Sequence, residues 1–291
     1  MIKAATIPSR ACGDLCTLAK PGIVGAVALS GFTGMVLAAR GVPPAAAVFP
    51  CVASLLLMAA GAALTNSVLD QGMDRQMERL MQRSAALARL GSGTALAAAC
   101  AFTAAAVAIS AALMNKSALL LLVGAAAGYT LIYSLALKRS TPWAAVLGGV
   151  PGALPVLVGH AAVAARPDAA GLSLFVIMMI WQPPHFWLLS LAHGEEYRKA
   201  GVPVLPLVKG EPFTRLCIYL GIAALIPATL LLHCIGPCST AYACCAFLLG
   251  SCYLISCRYL IVRSGNYRAA FRGSIAYLLL LFTLIIIDLC L

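Results

Sequence analysis

Three oxygen-bearing side chains, Asn66, Asp70 and Asp74, recur at intervals of four in the run Thr65-Asn-Ser-Val-Leu-Asp-Gln-Gly-Met-Asp-Arg-Gln-Met-Glu-Arg-Leu-Met-Gln-Arg83. On a helix this spacing sets all three on one face, about one turn apart. Such a row suits a hard cation such as Mg²⁺, which takes a few carboxylates and completes its shell with water and phosphate oxygens. Arg75, Arg79 and Arg83 continue the same interval on a neighbouring face, and guanidinium forks match phosphate oxygens. Acid for a metal beside arginine for an anion describes a metal–diphosphate site. The same residues also fit a solvated helix end stabilised by i,i+4 Asp–Arg pairs. Against that reading, Asn66 and Asp70 continue directly from an apolar run, where unpaired polar groups are costly.

A second constellation is Trp181-Gln-Pro-Pro-His-Phe-Trp187, followed by a charged stretch from His193 to Lys209. Pro183 and Pro184 predict a break or kink in the helix that carries them, a feature tolerated at membrane depth where it lines a cavity. His185 lies beside that break, among Trp181, Phe186 and Trp187. Either it forms an aromatic pocket for a flat substrate, or it is a buried histidine bonded to a carbonyl freed by the prolines. Glu195 and Glu196 are candidate metal ligands opposite Asp70 and Asp74, or partners for Arg198 and Lys199. Tyr133 and Ser134 precede Lys138 and Arg139, cations that suit either membrane anchoring or diphosphate binding.

The elements that must position these groups follow from composition. Hydrophobic residues make up 62% of the 291 and charged residues 10%, with a mean hydropathy of +0.97. A soluble domain carries about a quarter charged residues. Backbone groups in lipid must be satisfied within the segment, and the apolar runs lack the alternation of a β-barrel. The predicted fold class is an all-α polytopic membrane protein of about nine transmembrane helices in one domain, 1–291. Spans are expected at 22–40, 44–68, 93–114, 117–137, 143–164, 171–191, 214–234, 239–258 and 271–291. The first is too long and lacks a small-residue cleavage site, so it is expected to be a span of the mature protein rather than a signal peptide.

With a cytoplasmic N-terminus, 17 of the 20 basic residues fall on the cytoplasmic side, leaving only Arg40, Lys116 and Arg166 outside. That is the positive-inside pattern. It explains the net charge of +11 without nucleic acid. The two long ionisable connections, Asn66 to Arg89 and His193 to Arg215, follow the second and sixth spans and hint at a pseudo-repeat with its site at the repeat interface. The glycines and prolines between Gly148 and Gly159 predict a bendable or closely packed fifth span. Most of the twelve cysteines are expected to be small apolar fillers, with a disulfide conceivable between Cys234 and Cys238.

At these residues the chain resembles the intramembrane UbiA-type prenyltransferases, and within them the branch that farnesylates heme. Asn66, Asp70, Asp74, Met77, Arg79 and Arg83 meet the family's first motif. Tyr133-Ser134 with Lys138-Arg139 matches a second segment. Trp181-Gln-x-Pro-His185-Phe and Tyr197-x-x-Ala-Gly-x-Pro203-x-Leu-Pro206 match what marks the heme branch, and Leu18-x-Lys20-Pro21 resembles the family's start. The resemblance covers about residues 18–210 and fades beyond them. Gly72, Leu80, Ser84 and Glu196 depart from the residues common in relatives.

The resemblance implies nine helices around a central cavity where farnesyl diphosphate and heme b meet, heme b being substrate rather than cofactor. It implies Mg²⁺ held by Asp70 and Asp74 with Asn66, Glu196 being a further metal ligand, and diphosphate gripped by Arg79, Arg83, Lys138 and Arg139. It implies a heme pocket of His185, Trp181 and Tyr133, a multi-pass location in a prokaryotic inner membrane, and hand-over to a heme A synthase or terminal oxidase assembly. The rival readings are a prenyltransferase for a quinone precursor, and a transporter or catalytically silent membrane protein.

Overall fold

The computed structural model describes the backbone from Ile7 and the side chains from Arg10 through Leu291, so Lys3 lies outside the described residues. Among them, nine helices are long and apolar enough to cross a membrane. The chain begins with a helix the apolar periodicity did not announce, α1 (Ile7–Ala19). It continues through α2 (Pro21–Ala39), α3 (Ala45–Leu69), a short surface helix α4 (Met81–Leu90) and α5 (Ser92–Leu113). Then follow α6 (Lys116–Ser140), α7 (Ala144–Ala164), α8 (Ala169–Ala192), α9 (Glu211–Cys234), α10 (Thr240–Ser264) and α11 (Tyr267–Cys290).

The nine long helices correspond one for one to the expected spans. The last three reach further toward the basic face than expected, beginning at Glu211, ending at Ser264 and beginning at Tyr267. A helix gains by continuing its backbone bonds past the apolar slab, because long cationic side chains there can snorkel to water.

The two largest of four packing clusters join the spans. One joins Met35 of α2, Cys51, Leu55 and Met58 of α3, Leu122 of α6 and Val158 of α7. The other joins Trp181 and Leu188 of α8 with Ile218 and Leu225 of α9, Tyr253 of α10 and Tyr277 of α11. Helices α2 and α7 touch backbone to backbone. A Cβ on Gly159 would lie 1.8 Å from the Gly31 carbonyl oxygen, and one on Gly34 would lie 2.1 Å from that of Val156. This close packing is what the glycines of the fifth span were expected to allow.

Two expectations are corrected. Helix α8 runs without interruption through Pro183 and Pro184. The Pro184 ring sits against the side of Gly221 on α9, where a Cβ would approach its Cγ to 2.5 Å. Packing on both sides holds the helix through the lost bonds. All twelve cysteines are free, Cys234 and Cys238 included, and only Cys51, Cys238 and Cys257 are buried. Seven of the other nine are exposed on the outside of the bundle.

Candidate active site

Helix α3 carries Asn66 at its end and stops at Leu69, because Asp70 turns to φ −94°, ψ 6°. The four-residue spacing nevertheless survives the bend. The Asp70 amide donates to the Asn66 carbonyl at 2.9 Å, and the Asp74 amide to the Asp70 carbonyl at 2.9 Å. Asn66, Asp70 and Asp74 are all buried, and Asn66 Nδ2 donates to Asp70 Oδ2 at 2.7 Å.

The arginine row does not continue in the same way. Met77 is extended and buries its side chain against Tyr197, Val202 and Val204, so apolar burial unwinds the helix there. Arg75 is left exposed. Arg83 returns on α4 to place Nη2 2.6 Å from Asp74 Oδ2. Arg79 instead crosses to the second charged connection, donating to the Tyr197 hydroxyl at 3.0 Å and to Glu196 Oε2 at 3.1 Å.

A stretch of α6, Gly128–Leu137, is π-helical, a winding often found at functional sites. It turns Ser134 so that its hydroxyl donates to the Tyr129 carbonyl five residues back, at 2.9 Å, and accepts from Asn66 Nδ2 at 3.2 Å. One turn later Lys138 bonds to Asp70 Oδ2. Arg139 donates to the Leu69 carbonyl at 2.8 Å, with a nitrogen 3.6 Å from Asp70 Oδ1.

Lys20 was counted in sequence only as an anchoring charge and as part of the family's opening. Its backbone is left-handed, φ 57°, at the junction of α1 and α2, and its Nζ donates to Asn66 Oδ1 at 2.6 Å. Burial and the nearby Arg83 push its ammonium down to about 7, against the pull of Asp74. A lysine followed by proline just ahead of the first span was the available signal. Burial also raises the Tyr197 phenol, although Arg79 opposes the shift.

The site is therefore two buried carboxylates and an amide ringed by Lys20, Arg83, Lys138 and Arg139. Asp70 Oδ1 is buried with no hydrogen-bond partner. An oxygen with open lone pairs, beside a second carboxylate and surrounded by cations of the kind that suit phosphate, fits a hard cation shared with a diphosphate. Glu196 stands apart from that oxygen set. Its carboxylate is engaged by Arg79 and by His193 Nδ1 at 3.1 Å, and no three His, Cys, Asp or Glu among the described residues converge on one metal position. Glu195 pairs with Arg198, as one of the two readings had it.

The second constellation is divided by helical geometry. Successive residues of α8 point about 100° apart, so the three aromatic neighbours of His185 diverge. Only Trp181 stacks on it, at 4.4 Å and 20°. Phe186 meets Tyr197 edge-on, and Trp187 meets Trp143. The opposite wall comes from α11, where Phe271 stacks on His185 at 4.5 Å. His185 Nδ1 lies 2.6 Å from Ser274 Oγ, which itself lies 2.6 Å from the Phe271 carbonyl. Two acceptors would not approach so closely, so the serine proton points to the carbonyl and Nδ1 donates to the serine. The imidazole Nε2 is then the lone-pair end. The carbonyl of Ser274 also accepts from Trp181 Nε1 at 2.9 Å. Phe271 and Ser274 were missed because serine and phenylalanine carry no distinctive signal within an apolar run.

Tyr133 belongs to a different wall. It stacks on Tyr129 at 5.7 Å and lines a recess of about 290 Å³ between α6 and α7, with Gly128, Gly148 and Pro151. His185 and Trp181 do not line that recess.

A sequence model described as the UbiA prenyltransferase family matches residues 27–286. The protoheme IX farnesyltransferase of Geotalea uraniireducens is 46% identical over 256 residues, covering 88% of this chain and 99% of that one. Among solved structures, that of digeranylgeranylglyceryl phosphate synthase superposes with a TM-score of 0.77 at 14% identity, covering 96% and 98% of the two chains. A UbiA homolog from Archaeoglobus fulgidus, solved with DMAPP and Mg²⁺, superposes with a TM-score of 0.67 at 13% identity, covering 94% and 99%. These two structures share the fold.

Proposed function

The chain belongs to the UbiA prenyltransferase family, and from that premise we propose that it transfers a farnesyl group from farnesyl diphosphate to a vinyl group of heme b, giving heme O and diphosphate. The observation that carries this reading is the 46% identity to a protoheme IX farnesyltransferase across nearly that protein's whole length.

In this reading the diphosphate binds at the basic ring, and Asn66, Asp70 and Asp74 hold Mg²⁺. The metal, when bound, neutralises charge on the diphosphate oxygens. Arg83, Lys138 and Arg139, joined by Arg79 once it exchanges its Glu196 bond for the diphosphate, stabilise the negative charge that grows on the leaving group as the allylic C–O bond breaks, the electrostatic contribution that is commonly the largest in such chemistry. The allylic carbon forms its new bond to the terminal vinyl carbon of heme. Water then adds to the other vinyl carbon and loses a proton, which completes the hydroxyethylfarnesyl group. His185, with Trp181, would face the porphyrin, while Tyr133, on the recess between α6 and α7, would shield the cation with its π face.

The strong basic bias of one face supports a multi-pass location in the inner membrane with the site toward the cytoplasm. The product would pass to a heme A synthase or a terminal oxidase assembly. Membranes carrying the protein, incubated with heme b, farnesyl diphosphate and Mg²⁺, should yield heme O by pigment chromatography. Chelation of the metal should stop the reaction. Farnesylation of a quinone precursor with heme b left unchanged would replace this reading.

A further inference from the structure

Two of the cations around the carboxylates are supplied by short helices outside the nine spans. Lys20 follows the last residue of α1, and Arg83 stands in the first turn of α4. Lys20 reaches Asn66 and Arg83 reaches Asp74. The two lie close enough that Arg83, after burial itself, lowers the affinity of the Lys20 amine for its proton. Like charges brought together at a buried place repel, so the helices that carry them must be held.

The holding element is a seam between α1 and α4. Leu15 and Leu18 of α1 pack with Ala86, Leu87 and Leu90 of α4 over Leu64 of α3. Arg83, Leu87 and Leu90 share one face of α4, so the face that meets α1 also carries the site arginine. At the far end of the seam Arg89 meets the buried Asp14 through both oxygens. Nε donates to Oδ2 at 3.1 Å and Nη2 to Oδ1 at 2.5 Å, the fork arrangement that suits a carboxylate. Asp14 precedes Lys20 by six residues and Arg89 follows Arg83 by six. At 1.5 Å per residue the ion pair therefore stands about 9 Å from the two cations along each helix.

The backbone of Lys20 makes its position depend on that seam. Its φ of 57° is left-handed, a conformation costly for any residue but glycine and kept only where the surroundings over-determine it. From one side the first turn of α2 fixes it, with the Ile23 and Val24 amides donating to the Lys20 carbonyl at 2.9 and 3.1 Å. From the other side it is fixed by the docking of α1. With α1 released, the residue would relax toward ordinary dihedrals and draw its side chain away from Asn66.

We propose that Asp14 and Arg89 are positioning residues for the diphosphate: their ion pair clamps α1 to α4 and so holds Lys20 and Arg83 together as one anion-binding pair. The assignment rests on the diphosphate reading given above. Asp14 and Arg89 bond to each other and to no group of the site, so their effect on the ligand passes through the two helices.

The full-length protein in detergent would be titrated with a non-hydrolysable farnesyl diphosphate analogue in Mg²⁺ and, separately, with heme b. Asp14→Asn and Arg89→Gln should each weaken the analogue about two- to fivefold, the range that a partly exposed ion pair can transmit, with heme affinity unchanged. The double variant should bind no more weakly than either single one, because its second substitution removes a partner already lost. Asp14→Glu, which keeps the carboxylate, should recover most of the affinity. Hydrogen exchange in α1 should quicken in the variants that lose the pair. Faster exchange with unchanged analogue affinity would overturn the proposal and leave the pair as a support of α1 alone. Additive losses in the double variant, or a matching loss of heme affinity, would overturn it too. A wild type that binds heme but not the analogue would remove the diphosphate reading itself, an outcome distinct from the others.

Discussion

Replacing Asp70 by asparagine tests the proposed metal–diphosphate site while keeping the shape of the side chain. Asp70 is almost fully buried, and its partner Lys138 is only 17% exposed. Removing one charge of a buried pair costs about 3–5 kcal/mol. The amide oxygen can still accept from the ammonium, so the lower end of that range is expected for Asp70→Asn. At roughly 2–4 °C per kcal/mol for a chain of this order of size, melting in detergent should fall by about 6–12 °C. Ligand binding provides a second, independent readout. A ligand at a hundred times its dissociation constant stabilises the folded state by about 2.7 kcal/mol, or roughly 5–10 °C on the same scale. The wild type should show that shift with Mg²⁺ and a non-hydrolysable farnesyl diphosphate analogue. Asp70→Asn should lose both the shift and heme O formation. A variant that melts lower but keeps the full ligand shift and wild-type turnover at saturating Mg²⁺ would refute the reasoning, making Asp70 the structural counter-ion of Lys138 and nothing more.

Arg79→Lys and Arg83→Lys keep the charge but lose the fork, so farnesyl diphosphate affinity should fall several-fold in each; unchanged binding in both would make them anchoring charges. His185→Ala should lower heme binding and heme O yield with diphosphate binding nearly intact, whereas equal loss of both ligands would indicate a collapsed fold. Tyr197→Phe removes the hydroxyl that Arg79 grips beside Phe186, and should weaken the effect of bound heme on diphosphate affinity; coupling equal to that of the wild type would show that this connection transmits nothing. Asp14 is held below the ordinary carboxylate range by its hydrogen bond from Arg89. The stability it contributes by docking α1 on α4 is therefore present above the unfolded pKa of about 4 and lost as pH falls through the lower folded value. Amide protection of α1 should be flat between neutral and mildly acidic pH and drop only in stronger acid; a drop already at pH 6 would disprove the assignment.

The spans were legible because each is a long apolar run, and that signal survives any packing arrangement. The oxygen row was legible for a local reason, since bonds between residues four apart hold Asn66, Asp70 and Asp74 in register even across the end of α3. The arginine row failed at Met77, where contacts with Tyr197 and Val204, more than a hundred residues away, outweigh local spacing. The same limit hid the α11 residues that pack on His185. Ser274 looks like any serine within an apolar helix until α11 is set against α8. The prolines misled in the opposite direction. The rule that a double proline interrupts a helix is a statement about an isolated helix, and α8 is held on one side by Gly221 of α9 and on the other by the bond from Gln182 to the Gly149 carbonyl at 2.9 Å.

The pairing of the site's charges with one another bears on how a substrate would enter it. Asp74 with Arg83, and Asp70 with Lys138, satisfy groups whose desolvation is otherwise expensive. Acid for the metal and base for the diphosphate, the division made from residue types, is thus compatible with acid bound to base. A metal diphosphate carries both complements, so its binding exchanges each internal pair for one with the ligand, and no buried charge need stand alone along the way. A bare diphosphate would attract the cations but leave Asp70 and Asp74 facing its negative charge, and a bare cation would draw the carboxylates while stranding Lys138 and Arg83. The two ligands should therefore bind cooperatively, each lowering the concentration at which the other saturates, as linkage requires. Titrating Mg²⁺ with and without the diphosphate analogue measures this directly, and independent binding would mean that the two sets of charges do not share one site.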